Sequence, residues 1–265
     1  MAHVNLSQRD INVLHKIKDP ESNPAAAVVT DPSLPRDPHV TDPLLYQSLV
    51  QQERHIISTL QEIEAQLNQS QAEDAPQAAV HGYRQCLASL DRLISEHPNY
   101  ASARNNRLQV TRRLYGDAML LNINTNIPLP LLQNPPHSER KQAALMALQD
   151  VDRCIALLSP ATMSSPMSPQ AAQTLSMSHT QRAAIYLATS KLLLGRSLDI
   201  DSCRPEAQWS RLDFEEAASR DLAYGGRYGN HIAKNLAVSV NPTAKLCGQI
   251  VREAMKKEYG TSLEI

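Results

Sequence analysis

In the stretch HPNYASARNNRLQVTRRLYGD, five polar residues sit close enough in register to share one side of a helix: Asn105, Asn106, Gln109, Arg112 and Arg113. Side chains three and four apart on a helix are neighbours, so these five make one patch. Asparagine and glutamine amides can pair with the backbone of an extended peptide, and guanidinium groups can fork onto a carboxylate. The chemistry on offer is recognition. The plainer reading spends the asparagine pair on local backbone or a neighbouring helix and leaves the arginines solvated.

Catalytic chemistry finds no such anchor. The sequence has no GxxxxGKS/T, no HExxH and no GxSxG. Gly225, Gly226 and Gly229 lack phosphate-loop spacing, follow no predicted strand, and read as a turn joining two helices. His179 and His231 stand at predicted helix starts as lone structural or exposed histidines. Cys86, Cys154, Cys203 and Cys247 are dozens of residues apart without a CxxC pair, which argues against zinc. Cys86, Cys154 and Cys247 fall on apolar helical stripes and are expected to be buried thiols in a reducing compartment, whereas Cys203 lies in a Pro-flanked loop. The expectation is therefore a protein that is not an enzyme and uses no metal and no cofactor. Ser-Pro pairs at 159, 165 and 168 could accept phosphate from proline-directed kinases, with Ser165 and Ser168 the foremost candidates and an unmodified loop the alternative.

The elements that must position these residues are helical. The chain has 265 residues, net charge −1 and 20% charged residues, so nothing global favours nucleic acid or a membrane surface. Aromatics reach only 4%, too few for an ordinary β-sandwich, while Ala, Leu, Gln and Arg favour helices. The N-terminus carries charges throughout, and no run approaches the length of a membrane span. A soluble cytoplasmic protein is expected, with the nucleus also open to it. Residues 1–41 read as a short helix (Asp10 to Ile17) and a Pro-rich linker. Residues 42–258 read as an all-α domain. Its helices cover about 42–67, 76–96, 101–115, 138–158, 179–194 and 206–222, with capping helices over 230–258 split at Asn241-Pro242. An apolar insertion at 118–138 and a low-complexity loop at 159–177 interrupt the pattern.

A repeat runs through these helices. Cys86, Leu90, Leu93 and Pro98 give a small residue, spaced apolar residues and a proline stop; Ala147, Val151, Cys154 and Pro160 repeat the series, and Ser210, Phe214 and Ala217 repeat it in degenerate form. This is the pattern of about three tetratricopeptide units, near 42–100, 101–160 and 177–222. The chain resembles the tetratricopeptide repeat protein 36 family in particular. Leu14, Ile17, Asp19 and Pro20 are similar to its N-terminal helix. Ala101, Ser102, Ala103, Asn105, Asn106 and Arg107 are similar to its Ala-Ser-Ala-x-Asn-Asn-Arg segment, and ALQDVDRCIAL (147–157) to its second repeat. Asn241, Pro242, Ala244, Leu246 and Cys247 are similar to its C-terminal motif. Leu108 and Gly116 depart from the usual repeat, and the two insertions lengthen the chain.

The resemblance implies a right-handed helical array whose concave face, lined by first helices, binds protein. It implies association with Hsp70-type chaperones and a link to tyrosine metabolism through a partner enzyme. The expected function is a monomeric adaptor, with no nucleic-acid or membrane partner. The rival is an assembly subunit whose groove is permanently filled, by the 118–138 insertion or by a partner.

Overall fold

The structure, a computed structural model, describes residues 28–70, 72, 74–122, 130–162 and 165–259. The helix expected over Asp10 to Ile17 lies outside these residues. The described chain is an all-helical array of eight α-helices: α1 (Pro43–Gln69), α2 (Ala75–Glu96), α3 (Ala101–Tyr115), α4 (His137–Leu158), α5 (Pro169–Leu192), α6 (Arg211–Arg227), α7 (His231–Val240) and α8 (Pro242–Tyr259). Among the described residues the only β-structure is isolated bridges, and no helix is long and apolar enough to cross a membrane. Successive helices pack on one another, most extensively α5 on α6, α6 on α7 and α3 on α4.

Local chemistry sets most of the boundaries. The Asp42 carboxylate accepts the Leu44 N–H at 2.9 Å and Pro43 takes the first position, where a missing donor costs nothing. Gly116, at φ 78°, ends α3 in a conformation that a Cβ would oppose. Asn230 caps α7 by accepting from Ile232 and Ala233.

Three sequence expectations are corrected. First, the stretch read as a loop through 177 turns helical at Pro169, because Ser168-Pro169 is a cap followed by proline in the first turn: Ser168 Oγ accepts the Ala171 N–H at 3.2 Å. His179 consequently lies within α5, buried, and not at a helix start. Second, Gly225 and Gly226 are inside α6 and not in a turn. A Cβ at Gly225 would stand 2.7 Å from Thr180 Oγ1 and one at Gly226 2.7 Å from the Lys234 Cα, so their smallness admits α5 and α7. Third, Ser210 is no buried crossing residue. It caps α6 in a reciprocal box with Asp213, and a 3-10 turn (Pro205–Gln208) replaces the helix start expected at 206. The series small-apolar-small is instead carried by Ala218, Leu222 and Gly225, buried like Ala147, Val151 and Cys154 on α4.

With that register, one charged constellation recurs. Arg107 of α3 holds the Asp150 carboxylate of α4 at 2.6 Å through two donors and reaches back to Asp91 of α2 at 2.7 Å, while Arg104 adds a third bond to Asp150. Arg182 of α5 holds Asp221 of α6 at 2.7 and 2.8 Å and reaches back to Asp152 of α4 at 2.9 Å, while His179 stands 2.8 Å from Asp221. Asp150 and Asp221 are almost wholly buried. A buried carboxylate survives only when paired and hydrogen-bonded, so each fixes how its two helices cross.

Burial by itself would raise the Asp221 carboxyl, but Arg182 and His179 outweigh it and hold it below the usual carboxylate range. Its stabilisation is therefore complete above the unfolded-state pKa and fades as pH falls through the lower folded one. Asp221→Asn should cost about 3–5 kcal/mol at pH 7, the range for breaking a buried pair. Denaturant titrations of the two proteins should converge in acid; a gap independent of pH would contradict the pairing.

The last helix departs from its expected capping role. α7 seals α6 with Ala233 and Ala237, but α8 meets the body only near its start, where Lys245 approaches Glu215 at 3.5 Å, and residues 249–258 are all exposed. Cys247, expected to be buried, is exposed with Cys203, while Cys86 and Cys154 are buried. Burial pushes the Cys154 thiol up to about 12. Maleimide labelling of the dilute, monomeric native protein should modify Cys203 and Cys247 within minutes and Cys86 and Cys154 only after denaturation. Rapid labelling of Cys154 would refute the packing of α4.

Candidate protein-binding groove

A groove of about 800 Å³ runs between α1 and α3 and is closed at one side by α5. Its apolar lining comes from Ile56, Ile57 and Leu60 of α1, Val110 of α3 and Met177 of α5. Ile57 and Met177 each keep 37% of their surface exposed there. A smaller hollow of about 210 Å³ shares Gln109, Arg112 and Met177 and reaches Asn230 before α7. First helices of successive pairs line the groove because their partners α2 and α4 pack behind them.

Of the five polar residues singled out by spacing, four line the groove: Asn106, Gln109, Arg112 and Arg113. Asn105 does not. It is 2% exposed, and its side-chain oxygen accepts from Ser178 Oγ at 3.0 Å and from Gln181 Nε2 at 2.8 Å, tying α3 to α5. One position along a helix turns a side chain by about 100°, which suffices to move Asn105 from groove to core. Its neighbour Asn106 gives its amide to Glu53 at 2.8 Å. Burial raises the Glu53 carboxyl, against the lowering effect of its bonds from Tyr100, Ser102 and Asn106.

The arginines are not presented as free cations. Arg112 donates to both Asp117 oxygens at 2.7 and 3.0 Å and also reaches Gln181 at 3.3 Å. Arg113 donates to both Glu64 oxygens at 2.7 and 3.2 Å. That bond is the main reason the Glu64 carboxyl lies below its usual range. Tyr83 donates to the same carboxylate at 2.6 Å, and burial, then Glu64, pushes its hydroxyl well above the tyrosine range. Acid and base around the rim thus neutralise one another. A two-asparagine clamp for a chain-terminal carboxylate is not assembled here, since Asn105 is buried, Gln181 serves it, and Arg182 belongs to Asp221.

Sequence reasoning missed the apolar half of the groove. Ile56-Ile57 carried the signal: two adjacent large residues cannot both face one core, and here Ile56 is buried at the base of the groove while Ile57 stays exposed along it. Met177 was assigned to a loop. The described ends of the 118–138 insertion leave the groove open. Leu131 and Leu132 pack on the core and donate N–H groups to the Arg113 and Leu114 carbonyls at the end of α3, and only Pro130 touches the rim. Leu120 and Asn122 pair instead with backbone at 197–199. Leu129 lies outside the described residues.

The phosphorylation candidates differ in kind. Ser168 is 2% exposed and caps α5, donating its hydroxyl to the Arg36 carbonyl at 3.0 Å. Ser165 is half-buried and bonded to Thr162 at 2.8 Å. Modification of Ser168 would require the cap to open.

Comparison with known proteins finds similarity to the L-tyrosine degradation gene cluster protein hmgX of Aspergillus fumigatus. Identity is 33% over 264 residues, which span 96% of this chain and 93% of that protein. No protein-family model matches the chain, and no solved structure matches it.

Ser168→Ala should lower stability by about 1 kcal/mol, the usual worth of a helix cap, and Ser165→Ala by under about 0.5 kcal/mol. Thermal melts of both variants, set beside a proline-directed kinase assay on the native protein, check this. Faster phosphorylation of Ser168 than of Ser165 would contradict the cap.

Proposed function

Because the chain belongs to the family of the L-tyrosine degradation gene cluster protein hmgX, we propose that it serves tyrosine degradation as a non-catalytic adaptor that holds a protein partner in the groove between α1, α3 and α5. The observation that carries this reading is the groove's makeup: exposed Ile57 and Met177 over a rim whose charges are already paired with one another. Apolar surface ready to be covered favours holding a segment of another protein. Ionisable groups bound to each other favour holding over turnover. The occupant suited to this lining is a peptide or helix that inserts one or two apolar side chains and leaves its amides near Asn106 and Gln109.

On this reading the helix pairs are tetratricopeptide units, and the partner is an enzyme of tyrosine degradation or an Hsp70-type chaperone acting on one. A cytoplasmic location suits the role. The rival, an assembly subunit with its groove filled by its own insertion, is disfavoured by the described ends of that insertion, which cap α3 and bind the loop after α5.

Calorimetric titration of the purified chain with each enzyme of tyrosine degradation, and with an Hsp70-type chaperone, tests the proposal. Ile57→Glu should weaken binding at least tenfold, about 1.4 kcal/mol, by placing a charge where an apolar side chain docks. Arg112→Ala should change it far less, since that guanidinium is already paired with Asp117. Equal affinity of wild type and Ile57→Glu for the partner, or strong loss with Arg112→Ala alone, would refute the apolar groove.

A further inference from the structure

The end of the array carries an apolar face that the other described residues leave bare. On α8, Leu246, Cys247, Ile250, Val251, Ala254 and Met255 fall within one half of the helical wheel. Leu246, Ile250, Val251 and Met255 are 58%, 56%, 56% and 47% exposed. A terminal unit of a stacked helical array is soluble when its outer face is polar or covered, and this one is not polar. An 18-residue helix whose last ten described side chains are exposed draws little of the packing that gives most protein helices their stability.

We propose that this face pairs with the same face of a second copy of the chain, making a twofold dimer through α8. The area points to that occupant. At roughly 100 Å² for each of its four exposed large side chains, α8 offers on the order of 400 Å² of apolar surface, a patch of the size that is often functional on a monomer. Two such faces cover about 800 Å² of apolar surface, and at the usual apolar share of roughly 60% the whole contact reaches about 1,300 Å², where stable specific interfaces begin. A twofold contact needs one self-complementary patch and no second protein. The polar side of α8 mixes Lys245, Arg252 and Lys256 with Gln249 and Glu253, and its apolar side ends in Lys257 and Glu258 and has no aromatic through Met255. A helix lying on an anionic membrane favours basic residues opposite bulky aromatic or aliphatic anchors, so a protein surface fits this mixture better. The inference stands apart from the groove, which faces α1, α3 and α5.

Sedimentation of the full chain between about 1 and 100 µM reads the proposal directly, because dimerisation is concentration-dependent. The expected species is twice the 29.3 kDa chain. Ile250→Glu and Val251→Glu should each raise the dimer dissociation constant at least tenfold with helical circular dichroism unchanged, since neither residue supports the core. Cys247 lies on the apolar face near its N-terminal end, which adds a site-specific readout. In a Cys203→Ser background, a bis-maleimide spanning the helix–helix distance of about 8–10 Å should link two chains. The link should vanish on adding Cys247→Ser. A chain that stays monomeric across the range, with or without anionic vesicles or another protein to bind, overturns the proposal. So does a dimer that tolerates both glutamates and gives no Cys247 link.

Discussion

Each of two arginines, Arg107 and Arg182, joins three helices, and the array depends on them. Arg107 binds Asp150 within its own helix pair and Asp91 in the pair before; Arg182 does the same with Asp221 and Asp152. The inner carboxylates are inaccessible to water and would be untenable without these donors. Hydrophobic contact between Ala-rich helix faces is nearly non-directional and tolerates sliding. A bidentate guanidinium does not, because its two donors must meet two oxygens in one plane. The pairs therefore set the register in which Ala147 and Ala218 meet the helices opposite them.

This arrangement decides what the groove can be. Charges at its rim follow the same habit of internal pairing, Arg112 with Asp117 and Arg113 with Glu64. What the groove presents is then an apolar strip bordered by amides. A neutral, partly apolar surface selects partners by shape and by the side chains they can insert, with little long-range steering. In the proposed adaptor role, that surface would put specificity in Ile57 and Met177 more than in the arginines.

The two faces open to partners differ in their support. The groove is walled by helices tied through Asn105, Gln181, Glu53 and Tyr100. The terminal face rests on a helix attached at one end by Lys245 and Glu215. Rigidity at the first favours a preformed site, while the second gains its order from whatever covers it.

Helix boundaries were legible wherever a short local device made them. Asp42-Pro43, Gly116 and Asn241-Pro242 act within four residues, so the sequence by itself determined those ends, the all-α class and the apolar stripes of α2 and α4. The same local logic misread Ser168-Pro169, since one dipeptide serves both a loop and a helix cap, and the flanking low-complexity serines tipped the choice. Tertiary structure decided the rest. Whether Asn105 or Asn106 meets the groove depends on a rotation of α3 set by Asp150, more than forty positions away. Whether Gly225-Gly226 breaks a helix depends on Thr180 and Lys234 pressing against it. Whether α8 is buried depends on surface that the described residues do not supply. Spacing states which side chains share a face; which way that face turns is settled by the partners that bury it.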